Sequence, residues 1–159
     1  PLILDADGLF PYSDSLYELS IKQTPLIITP HFGEFSRLIN ISVKDIISDF
    51  PKIMEDTLKV FNHTLLIKQV PICILKKNKA VVNITGNPGL STAGTGDILS
   101  GILASFLSSG LSSFDAATVG AFVQGKSSDK LLSLKGHRGQ IASDLLDTIP
   151  SVISKYELS

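Results

Sequence analysis

The sequence predicts an α/β domain with a largely parallel sheet flanked by helices. Three observations carry that prediction. Short apolar runs alternate with stretches of helical spacing along the chain, the pattern of βαβ units. Near the middle, two β-like runs are separated by the polar turn Lys77-Asn78-Lys79, which adds an antiparallel hairpin at the sheet edge. The chain has 159 residues, 43% of them hydrophobic, enough for one domain with a core over 1–159.

The elements follow in order. Residues 1–6 read as a buried strand, and 13–23 as a short helix with Leu16, Leu19 and Ser20 on one side. Residues 26–29 form a second strand, stopped by Pro30, and 33–39 a short helix. From 43 to 62, Ile46, Ile47, Phe50, Ile53, Met54, Leu58 and Phe61 recur at helical spacing; Pro51 kinks or splits that helix. Three β runs follow at 65–68, 72–76 and 80–84. Residues 85–91, with Gly86, Pro88 and Gly89, are loop chemistry. Helices are predicted at 97–109 and 113–132, with Gly110 as a stop and Ser112 or Ser113 as a cap. A last helix is expected near 143–146.

The bulk chemistry excludes some partners. Net charge is −1, without clustered Lys and Arg, so no nucleic-acid surface is expected. There is no run of about eighteen apolar residues and no signal-like leader before the first strand, so neither a membrane span nor secretion is expected. The single cysteine, Cys73, lies in the apolar run VPICIL. It forms no intrachain disulfide and suits a reducing cytoplasm.

The most informative stretch is STAGTGDILSGILA, residues 91–104. An apolar helix begins behind Gly94 and Gly96, with one carboxylate, Asp97, in its first turn. Free N–H groups in that turn, exposed by a sharp glycine turn, make an anion cradle aligned with the helix dipole. A carboxylate beside a bound phosphoryl group is placed to take the proton of an attacking hydroxyl. The same residues also read as a capping acid behind an ordinary turn, because Gly-Thr-Gly-Asp is shorter than the phosphate loop ending in Gly-Lys-Ser/Thr.

Three further stretches change the balance. LILDADGL (2–9) ends a strand with Asp5 and Asp7; IITPHFGEFSRL (27–38) ends another with Thr29, His31 and Glu34; KGHRGQIASDLL (135–146) adds Gly136, Gly139 and Asp144. Together with 91–104, in this order, they resemble the ADP- or ATP-dependent NAD(P)H-hydrate dehydratases of the ribokinase-like fold. The resemblance implies a lyase of metabolite repair. A nucleotide phosphorylates the hydroxyl of (6S)-NADH or (6S)-NADPH hydrate, phosphate leaves, and NADH or NADPH is restored. It implies Mg2+, ADP or ATP as phosphoryl donor, an epimerase acting on the same hydrate, and a homo-oligomer.

Carried over residue by residue, Asp97 matches the catalytic, substrate-contacting acid and His31 the histidine that contacts the hydrate. Gly94, Thr95 and Gly96 match the anion hole, and Gly96 also contacts the nucleotide. Lys68, Gln69, Val70, Pro71 and Ile72 fall on the strand end that touches the adenine nucleotide. Asp5, Asp7 and Glu34 lie near the phosphate and magnesium region. Each has an ordinary reading beside it: His31 as a turn histidine bonded to backbone, Lys68 as a strand-end lysine, Asp5 and Asp7 as turn acids, Glu34 as a first-turn helix acid, Asp144 as a cap. His137 and Arg138 read either as a phosphate hand or as a solvated loop. Phe32 and Gln69 depart from the family's usual proline and glycine. The resemblance also places the family's early segments before Pro1, which would leave a sheet edge to be covered. Two other functions share the glycine-flanked acid: a kinase for a vitamin-precursor alcohol of the hydroxymethylpyrimidine or hydroxyethylthiazole type, and a non-catalytic nucleotide-binding remnant.

Overall fold

The computed structural model describes residues 1–157. Five strands form one sheet in the order β1 (Leu2–Leu4), β2 (Leu26–Ile28), β3 (Thr64–Ile67), β4 (Ile72–Lys76), β5 (Lys79–Asn83). β1–β2 and β2–β3 are parallel, with Leu2 opposite Leu26 and Ile27 opposite Thr64. β3–β4 and β4–β5 are antiparallel, with Leu65 opposite Leu75 and Ile72 opposite Asn83. The sheet is therefore mixed: the expected hairpin is present, and the reversal already begins at β3, because the short connection 68–71 leaves no room for a crossover helix.

Alternation along the strands sorts the core onto two faces. Ile28, Leu65 and Ile67 pack with Leu16, Phe35, Ile46 and Met54 from α1 (Leu16–Ser20), α2 (Phe32–Ile39), α3 (Val43–Ser48) and α4 (Phe50–Val60). Ile27, Leu66 and Ile74 face the other way, onto Leu99, Leu103, Ala117 and Ala121 of α5 (Thr95–Ser108) and α6 (Ser113–Lys135). The five strand residues Ile27, Ile28, Leu65, Leu66 and Ile67 are fully buried, as a sheet covered on both faces requires. Gly120 lets α5 and α6 approach: a Cβ there would lie 2.5 Å from Leu103 Cδ2.

Local chemistry explains most boundaries. Ser112 Oγ accepts the Asp115 N–H at 3.2 Å and caps α6, and Gly110 takes the left-handed φ of +93° that ends the preceding turn. Pro51 stands in the first turn of α4, so the 43–62 segment is split into two helices as expected. The helix expected over 13–23 is shorter. A 3-10 helix occupies Ala6–Tyr12 and α1 only Leu16–Ser20, because Asp14 turns at φ +60° and the chain must be extended before Pro25. The last helix, α7 (Ala142–Ile153), is longer than its expected core of 143–146 and runs through Pro150. No helix among the described residues is long and apolar enough to cross a membrane.

Candidate active site

The carboxyl ends of the three parallel strands and the start of α5 meet at one end of the sheet. Ligands of open α/β sheets bind at this end. β1 delivers Asp5, β2 leads through Thr29 and Pro30 to His31, and β3 delivers Lys68, whose N–H donates to the Pro30 carbonyl at 2.8 Å. His31 and Lys68 form a parallel β-bridge beyond the named strands, so two motifs far apart in sequence lie side by side.

Lys68 Nζ is ion-paired with Asp5 Oδ1 and lies 3.9 Å from Glu34 Oε2. Asp5 Oδ2 is 3.5 Å from Ser100 Oγ, which ties the pair to α5. Gly96 lies directly over it: a Cβ there would stand 3.4 Å from Asp5 Oδ2 and 3.8 Å from Lys68 Nζ. A methyl group there would be in ordinary van der Waals contact with both, so the Gly96 backbone lies within one side-chain layer of the charged pair.

α5 opens as the sequence implies. Gly94 has φ +87°, and the N–H groups of Gly96 and Asp97 meet no acceptor among the described residues. Two donors at a positive helix terminus are left for an anion. Thr95, expected to complete that anion hole, is turned inward instead. Its N–H donates to Thr92 O at 3.3 Å, and its hydroxyl donates to Leu90 O at 2.7 Å and Thr92 O at 2.9 Å. Thr95 braces this turn; the N–H of Gly94, like those of Gly96 and Asp97, meets no acceptor among the described residues. The Asp97 side chain is exposed, with no protein hydrogen bond among the described residues.

His31 caps α2. Its Nδ1 accepts the Glu34 N–H at 3.1 Å, while Glu34 Oε2 accepts the His31 N–H at 2.8 Å. With Nδ1 accepting, the proton resides on Nε2, which faces Glu34 Oε1 at 3.3 Å. The side chain is still 54% exposed, so the backbone-bonded reading and an open ring face hold together. Phe32 fills the family's proline position at the start of α2 and packs edge-on against Phe50 at 6.0 Å.

A cavity of about 210 Å³ opens beside Gly96. Its lining includes all of Lys68–Ile72, the Gly86–Asn87 turn, Leu90, Thr95, Leu99 and Gln124. Gln69 does not enter as a free arm: its Nε2 donates to Cys73 Sγ at 3.1 Å, and a cis Val70-Pro71 bond shapes the turn. Asp7 and Glu34 line a separate, smaller hollow with Arg37. No cluster of three or more metal-ligating side chains occurs among the described residues.

Residues outside the expected site set, together with the 135–146 stretch, build the far wall. Asp129 of α6 accepts the Gly86 N–H at 3.1 Å and Asn87 Nδ2 at 3.3 Å. Asn87 Oδ1 accepts from Gln140 Nε2 at 3.2 Å, and Gln140 Oε1 from Ser128 Oγ at 2.7 Å. His137 and Arg138 are exposed, as the solvated-loop reading has them, and His137 Nδ1 lies 3.4 Å from Asn87 Oδ1 at the edge of this brace. Asp144 serves as the cap of α7: it accepts the Ile141 N–H at 2.9 Å and Lys135 Nζ at 2.6 Å. The Lys135 ammonium first, and the Ile141 N–H second, hold its carboxyl below the usual carboxylate range.

A family model described as NAD(P)H-hydrate dehydratase matches residues 1–151. The chain belongs to the NAD(P)H-hydrate dehydratase family. It is 35% identical over 158 residues to the bifunctional NAD(P)H-hydrate repair enzyme Nnr of Moorella thermoacetica, covering 99% of this chain and 30% of that one. It is 33% identical over 149 residues to the ADP-dependent (S)-NAD(P)H-hydrate dehydratase of Neisseria meningitidis, covering 92% of this chain and 49% of that one. The chain thus spans between about a third and a half of these curated relatives. Among solved structures it resembles the ADP/ATP-dependent NAD(P)H-hydrate dehydratase of Bacillus subtilis co-crystallised with ATP/Mg2+. That match has a TM-score of 0.84 and 25% identity, and covers 99% of this chain and 55% of that one. A hydroxyethylthiazole kinase of Pyrococcus horikoshii shares the fold at TM-score 0.65 and 17% identity. In this family frame, the first three motifs meet around Gly96, and the fourth reaches the start of α5 at Ala142, whose Cβ would lie 3.1 Å from a Cβ on Gly94.

Proposed function

We propose that this chain dehydrates (6S)-NADH hydrate or (6S)-NADPH hydrate at the expense of a nucleotide phosphoryl group, returning the reduced cofactor and free phosphate. The observation that carries the reading is the meeting of Gly96 with the Asp5–Lys68 pair, beside an unpartnered Asp97 and at the edge of a cavity. The family membership supports it, as do the relatives whose names state this activity.

In this reading the adenine nucleotide enters the cavity over Lys68–Ile72 and directs its terminal phosphate to the Gly96 and Asp97 N–H groups. Asp97 accepts the proton of the hydrate's hydroxyl as that oxygen bonds to phosphorus and the nucleotide's bridging oxygen leaves. The amides hold the charge of the transferring group. The C–O bond then breaks and phosphate departs. A neighbouring ring carbon gives its proton to solvent water, and the double bond is restored. Hydroxide is a poor leaving group and phosphate a good one, which is why a nucleotide is consumed. His31, exposed beside Lys68, contacts the nicotinamide side.

Mg2+ is held by one or two carboxylates together with substrate phosphates, so no protein cage is needed. Asp7 and Glu34 share a hollow, but Arg37 lines it too, it is separate from the nucleotide cavity, and Glu34 is taken up by His31, so as placed they do not fit that role. The donor is ADP or ATP. The Neisseria relative is ADP-dependent by name, and the Bacillus relative was co-crystallised with ATP/Mg2+. The reading also includes a cytoplasmic homo-oligomer working with an epimerase, in line with the word bifunctional in the names of several relatives.

The test mixes the protein with hydrated NADPH, Mg2+ and either ADP or ATP and follows the return of dihydronicotinamide absorbance, with Asp97→Asn alongside. Recovery in the wild type alone supports the reading and names the donor. A stable phosphate ester marks a kinase, and nucleotide binding without turnover marks a binding remnant; either result refutes it.

A further inference from the structure

The cavity contains one polar group that no motif accounts for. Gln124 lies in the middle of α6 and is only 4% exposed, directly after the buried Val123. Its Nε2 donates to the Thr95 carbonyl at 2.6 Å. That bond fixes the amide's orientation, because the flipped rotamer would set two oxygens face to face. Its Oε1 is therefore directed away from Thr95, and it takes no hydrogen bond from any described residue. It is not sealed in like the buried, unpartnered His63 Nε2, Thr64 Oγ1 and Ser127 Oγ, since the cavity reaches Gln124.

Helix carbonyls point toward the C-terminus, so the Thr95 carbonyl is directed away from the free N–H groups of Gly96 and Asp97. Gln124 consequently stands behind the anion cradle, at the inner end of the cavity. The cavity lining also holds Ile72, Leu90 and Leu99, which offer a flat base apolar contact, together with the polar Gln69, Thr85, Asn87 and Ser91. The pocket thus sets a buried, oriented amide oxygen beside apolar side chains.

We propose that Gln124 sets the base preference of this pocket: its amide oxygen accepts a hydrogen bond from the exocyclic amine of a 6-aminopurine and turns away 6-oxopurines. The proposal rests on the reading that the cavity takes an adenine nucleotide, and it adds the residue that selects that base. A 6-oxo group brings a second acceptor against Oε1 and leaves both unpaired in a desolvated site. One such mismatch weakens binding roughly ten- to hundredfold.

The test measures binding of ADP, of inosine diphosphate and of the 6-hydrogen purine nucleoside diphosphate, by calorimetry with Mg2+ present, to the wild type and to Gln124→Leu. The expected wild-type order is ADP tightest, the 6-hydrogen analogue next and inosine diphosphate weakest. In folded Gln124→Leu, ADP and inosine diphosphate bind within a few-fold of each other. If removing the donor to Thr95 unfolds that variant, the wild-type ligand series decides alone. Equal wild-type affinity for ADP and inosine diphosphate overturns the role of Gln124 while leaving the nucleotide pocket in place, as does a preference unchanged in Gln124→Leu. No binding of any of the three overturns the pocket reading as well.

Discussion

Asp5 and Lys68, 63 residues apart in the chain, form the ion pair on which the start of α5 rests. Their side chains are 15% and 22% exposed, a setting between a solvated surface pair and a fully buried one. Lys68→Ala leaves the Asp5 carboxylate half-buried with no cation in contact. The expected loss is about 1–3 kcal/mol of unfolding free energy, between the surface and buried limits. Asp5→Asn combined with Lys68→Ala recovers a large part of that loss, since no lone charge remains. Denaturant unfolding of the single and double variants measures the coupling; strictly additive losses would show that the two side chains do not act as a pair.

Asp97→Asn separates chemistry from binding. The anion cradle is backbone, and Asn keeps the size of the side chain and the start of the helix. ADP affinity is expected to stay within a few-fold, while turnover of the hydrate falls on the order of 10²–10⁴-fold, the usual worth of a positioned general base. Isothermal binding and single-turnover rates are compared on the same preparation. A near-wild-type rate would remove Asp97 from the proton transfer.

The convergence at Gly96 was legible in the sequence because its parts are short and local. An acid ends β1, the Thr29–Glu34 turn ends β2, and two glycines precede Asp97. Each is a strand-end or helix-start signal that needs no tertiary information. Thr95 was legible as part of the motif but not in its role, since only the fold reveals that its hydroxyl is taken up by Leu90 and Thr92. Gln124, Asn87 and Asp129 gave no signal. They are single polar residues whose partners lie on other elements, and α6 is buried along much of its circumference, so its spacing does not mark a cavity face. The short 3-10 start of the chain was hidden for a related reason: Leu9, Leu16 and Leu19 are all core residues, and apolar spacing alone does not locate the left-handed turn at Asp14.

The far wall of the cavity depends on a close approach at Gly125. A Cβ there would stand 2.7 Å from the Thr85 backbone carbon, which has no rotamer to yield. Gly125→Ala must therefore push residues 85–87 away from α6 and strain the bonds from Asp129 to Gly86 and Asn87. The expected cost is about 1–3 kcal/mol of stability. ADP affinity should fall as well, because the displaced turn lines the cavity. Thermal unfolding and ADP titration test the two effects separately. Unchanged affinity in a destabilised variant would mean that the 85–87 turn does not contact the nucleotide.

Asp144 links the end of α6 to the start of α7 and gives the fold an acid-sensitive joint. Lys135 and the Ile141 N–H hold its carboxyl below the usual 3.8 in the folded chain. A depressed folded value means that the charged form is the one the fold favours. Its contribution is complete above the unfolded value and drains away as pH falls through the lower folded value. Asp144→Asn has no such titration and lacks the ion pair with Lys135. The wild type is thus expected to be more stable than Asp144→Asn at neutral pH, by an amount that stays flat down to pH ~4 and shrinks below it. Urea unfolding of both proteins across that range measures the difference. A gap that persists unchanged into strong acid would show that Asp144 acts through its shape and not through its charge.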